Sequence, residues 1–226
     1  MDVLGVLLPL ALGVALSTVP ITVMLALLLS PRGRTVGLAY LVGYAIGLAV
    51  VTVGFTAGLR ALPTGGTPLP DLVIGAGEIL IGLVGVWFAV WVFRRGRRRR
   101  PMSDGVDPEV PGWLSRVGRM KPATAFLVGL ALNLRAKALV LATAAALAFN
   151  AGELTPLAWA IDTAVYLAIG LSTVATPVII VWRSGERARP TLQRAQHWVS
   201  RHSYVVTAVV VVMVAVVLIG DGLSRL

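Results

Sequence analysis

Six apolar runs separated by short polar segments set the plan of this chain. They cover residues 3–29, 35–59, 72–93, 123–149, 154–182 and 204–223. Each is long enough to cross a hydrocarbon core of about 30 Å at about 1.5 Å per helical residue. The pattern predicts an all-α polytopic membrane protein with six transmembrane helices. Residues 1–93 form a first three-helix unit, 94–122 a basic linker, and 123–226 a second three-helix unit.

The two units share features in the same order. Gly13-Val-Ala-Leu16-Ser17 in the first run corresponds to Gly129-Leu-Ala-Leu132-Asn133 in the fourth, an offset of 116. In the second and fifth runs, Ala45-Ile46-Gly47-Leu48-Ala49 corresponds to Ala168-Ile169-Gly170-Leu171-Ser172, an offset of 123. Three spans per unit is an odd number, so the second copy enters the membrane inverted, which is the plan of many transporters. The pairs Gly43 and Gly47, and Gly54 and Gly58, have the small-xxx-small spacing that lets helices approach closely, either within one bundle or in a homodimer.

Composition agrees with the pattern. Of 226 residues, 57% are hydrophobic, and a mean hydropathy of +0.86 exceeds what a soluble domain keeps from water. The net charge of +10 would suggest nucleic acid in a soluble protein, but sixteen of the twenty Lys and Arg residues crowd segments 30–34, 94–122 and 183–203. That alternation is what the positive-inside rule produces, so no nucleic acid is needed to explain it. It predicts a multi-pass plasma-membrane protein with both termini outside. Asp2 and the lack of a basic residue before the apolar run argue for an uncleaved first span, not a secretory signal.

The basic linker opens with Arg94-Arg95-Gly96-Arg97-Arg98-Arg99-Arg100 and ends where Trp113, Val117 and Met120 share a helical face. A similar short pattern recurs at Leu192, Ala195 and Val199. Either these segments are interfacial helices contacting anionic membrane lipids, at about 1 kcal/mol per basic residue, or they are a solvated consequence of topology.

Four charged residues lie well inside the apolar runs, away from their ends: Glu78, Arg135, Lys137 and Asp162. Their charges sum to zero. Each buried Arg or Lys costs about 2.5–3.5 kcal/mol even on lenient insertion scales, so intramembrane charge marks function. Counted from the span ends, all four lie roughly 10 Å below the outer surface, so acid–base pairing is geometrically feasible. On a continuous helix Lys137 shares a face with Asn133, four residues away, and Arg135 points nearly opposite. The spacing places Asn133 and Lys137 on a central cavity and pairs Arg135 with Asp162 or Glu78; the reverse assignment fits the same spacing. Either acid could also carry a coupling ion.

Ser17, Thr18 and Thr22 give the first run its only polar patch, and Pro20 removes a backbone donor there. The run is therefore expected to kink or break. In the repeat alignment Ser17 overlays Asn133, so two irregular polar points fall near mid-membrane, where broken helices of transporters hold substrate. A proline kink satisfied by the neighbouring hydroxyls is the structural alternative.

Enzymatic chemistry finds no support in the sequence. There is no cysteine, and no H-E-x-x-H or phosphate-loop motif. His197 and His202 have no second ligand at metal-binding spacing, so neither a metal nor another cofactor is expected.

Two segments carry a resemblance: Ala15-Leu16-Ser17-Thr18-Val19-Pro20-Ile21 and Ala131-Leu132-Asn133-Leu134-Arg135-Ala136-Lys137-Ala138-Leu139. With six spans in two halves and a basic central loop, the chain resembles the GAP or Sap-like glycolipid-addressing proteins of the lysine-exporter (LysE) superfamily. Members often carry Asn-Pro-Lys in the second segment; this chain keeps Lys137 but has Arg135-Ala136 before it. The resemblance implies export of a lipid or glycolipid toward the cell envelope, with Lys137 the residue that carries over. Lys137, Asn133, Ser17 and Thr18 would then bind an anionic head group. A small-solute exporter of the same fold, and a non-transporting accessory of a larger envelope export complex, are the rival readings.

Overall fold

The computed structural model describes residues 3–61, 80, 83, 86–87, 89–91, 94, 120–151 and 155–224. Among the described residues all regular structure is helical. The helices are α1 (Val3–Ala15), α2 (Thr18–Leu28), α3 (Gly33–Ala61), α4 (Pro122–Ala131), α5 (Ala136–Ala151), α6 (Pro156–Ser184) and α7 (Arg189–Ser224). Helices α3 and α6 are each long and apolar enough to cross a membrane, and α1 with α2 and α4 with α5 add two more spans if each bent pair counts as one. Glu78, most of the run 72–93 and nearly all of the basic linker lie outside the described residues.

The first and fourth apolar runs, expected as spanning helices, are each divided at mid-length. Helices α1 and α2 meet at a 44° bend, and the α4 and α5 segments at 62°. Pro20 does not make the first break. The backbone leaves the helix at Leu16 and Ser17, and Pro20 sits in the first turn of α2, where a missing N–H costs nothing. In the second break a 3-10 turn over Leu132–Leu134 leads to an extended Arg135 (φ −75°, ψ 149°). Ser17 is likewise extended (φ −71°, ψ 111°). The two breaks thus align Ser17 with Arg135, two residues away from the Ser17–Asn133 register read from sequence.

Helices α3 and α6 are 29 residues each, and their bounds differ by the same 123 positions as the sequence match. They run antiparallel, since Leu48 meets Gly170 at one level while Arg34 meets Gly185 at another. The broken pairs also oppose one another. Helix α2 is antiparallel to α3, with Tyr40 reaching Pro20 and Gly37 facing Leu28, whereas α4 runs parallel to α3, with Gly43 on Phe126 and Gly47 on Leu130.

Small residues let α3 and α4 touch backbone to backbone. A Cβ on Gly43 would collide with the Phe126 carbonyl, and one on Gly129 with the Tyr40 carbonyl. On Gly47 it would lie 2.9 Å from the Leu130 oxygen and 2.7 Å from Asn133 Nδ2. Gly54 and Gly58, the second small-xxx-small pair, face open space. Two apolar clusters flank this contact. One gathers α2, the first half of α3 and the last half of α6 around Met24, Tyr40 and Val178. The other gathers α1, α5 and the first half of α6 around Leu7, Phe149 and Tyr166. The amphipathic pattern at the start of α7 packs inward, with Leu192 buried and Ala195 against the first cluster, so these residues do not lie on a lipid face as an interfacial helix would place them.

Gly129→Ala is expected to destabilise the protein by about 1–3 kcal/mol through overpacking. Gly54→Ala, with room for its methyl group, should be neutral or stabilising by about 0.5–1 kcal/mol. Thermal unfolding of both variants in detergent checks the pair.

Candidate functional site

The two helix breaks converge on one cavity of about 210 Å³, lined from the first break by Val14, Ser17, Thr18, Val19 and Pro20, and from the second by Asn133, Arg135, Lys137 and Ala138. Tyr44, Leu48 and Val51 of α3 close it. It lies on the seam between the apolar clusters, drawing Tyr44 from one and Val14, Leu48 and Leu141 from the other. Six residues singled out by sequence therefore share one site: Ser17, Thr18, Pro20, Asn133, Arg135 and Lys137.

Arg135 does not turn away from Lys137. The spacing argument assumed an unbroken helix, and the 3-10 turn followed by an extended residue removes that premise, so both cations line the cavity. Among the described residues neither makes an ion pair. Asp162 is buried on α6, outside the cavity lining, and Glu78 lies outside the described residues.

Breaking a helix frees carbonyls on the leading half and N–H groups on the trailing half. Here the protein engages one freed carbonyl at each break. Thr173 Oγ1 of α6 donates to the Ala15 carbonyl at the end of α1. Asn133 Nδ2 donates to Gly129 O (3.1 Å) near the end of α4 and to Tyr44 O (3.2 Å) on α3. With 1% exposure, Asn133 is a pin holding the break against α3, and its amide donors are already engaged. The N-terminal turns of α2 and α5 line the cavity itself. Ser17 makes no side-chain cap, and the first helical bond of α5 runs from Leu139 N to Arg135 O. Two positive helix ends and two cations therefore face the same space, an arrangement that favours an anion.

Tyrosines that sequence reasoning missed shape this site. Tyr40, fully buried, donates its hydroxyl to Pro20 O at 3.1 Å and so holds the first turn of α2. Tyr44 stacks on Tyr40 with ring centroids 6.2 Å apart and presents to the cavity. Their i, i+4 spacing in an otherwise small-residue helix was the available signal. Thr22, expected to add polarity, bonds back to Thr18 O at 2.7 Å within its own helix. Among the described residues no cluster of His, Cys, Asp or Glu can hold a metal ion.

Thr173→Val is expected to cost about 1–3 kcal/mol, because it leaves the Ala15 carbonyl without a partner in an apolar surrounding. Thr176→Val serves as control: this exposed hydroxyl bonds only within its own helix, to Ser172 O. It should change thermal stability little.

Comparison with curated proteins gave no match, and neither did comparison with solved structures. A family model does match, over residues 7–224, and therefore through both helix breaks and every residue of the cavity. Its description is "Sap, sulfolipid-1-addressing protein", and the chain belongs to this SfLAP family.

Proposed function

We propose that the protein is a secondary transporter that moves a lipid or glycolipid with an anionic head group across the plasma membrane toward the envelope. The observation that carries this reading is the cavity at the meeting of two broken helices, where Arg135 and Lys137 stand with no ion-pair partner among the described residues. Both side chains are exposed at the cavity but sit at mid-length of an apolar run, where an unneutralised cation gains most from a negative ligand through charge-assisted hydrogen bonds.

The size of the site supports a head group over a whole lipid. At about 210 Å³ it is smaller than pockets that enclose drug-sized molecules, about 300–1,000 Å³, so the acyl chains stay in the bilayer while the charged group occupies the cavity. Lys137 and Arg135 contact the anion; Ser17 and Thr18 add donors from the α2 end, and Asn133 fixes the geometry of the second break. The sulfolipid-1-addressing family agrees with a substrate of this charge.

An inverted repeat gives the cavity a mechanism. Equal lengths of α3 and α6, their antiparallel course, and paired breaks in helices of opposite direction support two three-helix units related by inversion, which would rock about the central site. Under the charge bias, the end at Arg34 is cytoplasmic and the end at Arg60 external, with six spans and both termini outside. In this reading the protein is not an enzyme and uses no cofactor.

The test is lipid translocation by the purified protein in liposomes, with fluorescent anionic and zwitterionic lipids. Anionic lipid should move, and Lys137→Ala should slow it by about 10–100-fold, the value of one charge-assisted hydrogen bond. Arg135→Ala should act in the same direction. Full activity in Lys137→Ala would sink the assignment. A folded native protein that moves no lipid would instead favour an accessory role, recruiting a larger exporter through Arg97–Arg100.

A further inference from the structure

Between the cavity and the Arg60 end lies a second group of polar side chains that the head-group site does not use. Four buried polar atoms have no hydrogen-bond partner: Thr52 Oγ1 on α3, and Trp159 Nε1, Thr163 Oγ1 and Tyr166 OH on α6. Thr52 and Tyr166 are each 1% exposed, and Thr163 is 7% exposed. Asp162, also 7% exposed, stands among them. Trp159 and Tyr166 each stand three or four residues from both Asp162 and Thr163, so the four form a stripe on one side of α6.

The antiparallel register of α3 and α6 places these groups in order. With Leu48 against Gly170, Thr52 comes level with Tyr166, and Thr56 level with Asp162. One turn further, Asn150 of α5 donates Nδ2 to Thr56 O at 3.2 Å and accepts from Arg60 Nε at 2.7 Å. Arg60 is at the surface. Polar groups thus step from the cavity wall to the Arg60 end through a bundle whose other interior residues there, such as Leu7, Ala145 and Phe149, are apolar.

We infer that these side chains line a water-accessible track from the Arg60 end toward the cavity, and that the track admits small hydrated cations, hydronium among them, in preference to anions. Orphaned hydroxyls in a membrane interior are disfavoured unless water or an ion reaches them during the working cycle. Selectivity comes from Asp162, the one charged side chain among the described residues of the stripe. Arg60 at the mouth has the opposite sign, but it is exposed and screened, whereas a charge inside acts through a lower dielectric. The head-group cavity therefore prefers anions, and this track prefers cations. That division suits a carrier that exchanges a cation for an anionic substrate. The track's opening rests on the transporter reading; its test does not use lipid transport.

The chain has no cysteine, so single replacements report without background. Thr52→Cys and Thr163→Cys, made separately in the full-length protein in liposomes, are treated with cationic and anionic methanethiosulfonates of similar size. Ala145→Cys, fully buried among apolar residues, is the control. Both threonine positions should react, the control should not, and the cationic reagent should react about tenfold faster, as expected for one nearby unit charge. Adding Asp162→Asn should bring the two rates together. No reaction at either threonine position in folded protein would overturn the track. Equal or anion-favoured rates with Asp162 intact would overturn its selectivity, and either result would leave the lipid translocation assay to stand on its own.

Discussion

Inside a membrane every backbone N–H and C=O needs a partner, and the structure depends on how this constraint is met at two places where helices break. At each break a freed carbonyl of the leading half-helix is engaged by a side chain: Ala15 by Thr173, and Gly129 by Asn133. The first turns of α2 and α5 line a common cavity, so the positive ends of two half-helices meet there before any side-chain charge is counted. Arg135 and Lys137 then reinforce the same sign at the same point.

Helix packing holds the breaks in register. The backbone contact of α3 with α4 through Gly43, Gly47 and Gly129 brings Asn133 close enough to reach Tyr44 O on the neighbouring helix. From the same helix, Tyr40 holds the first turn of α2 through Pro20 O. Helix α3 therefore grips both broken spans: one through glycines that remove bulk, the other through a tyrosine that adds reach. Removing either grip would free a half-helix to move away from the cavity.

Two different electrostatic environments stand apart in the bundle. The central site gathers cations and helix N-termini; the stripe on α6 gathers hydroxyls around a carboxylate. Membership of the sulfolipid-1-addressing family suggests a role in glycolipid addressing. The wide apolar surface, with Val50, Val140 and Leu157 all more than 60% exposed, suits contact with lipid tails.

Much of this was legible in the sequence, because hydrophobic length and residue type act locally. Apolar runs predicted helices, and in the described parts helices are found. Ser17, Thr18, Asn133 and Lys137, grouped by their polarity within apolar runs, line one cavity in the structure, and Arg135, which the spacing set apart from them, lines it too. What the sequence misjudged was direction and register. Helical spacing set Arg135 against Lys137, and proline was credited with a break that begins four residues earlier, at Leu16. Both errors have one cause: a break is set by the neighbours that accept or donate its freed hydrogen bonds, and those neighbours, Thr173, Tyr40 and the Tyr44 carbonyl, come from other helices. By itself the sequence determined which residues were too polar for lipid. Only the tertiary structure decided which way they face, because orientation at a broken helix is fixed by contacts across the bundle and not by periodicity along the chain.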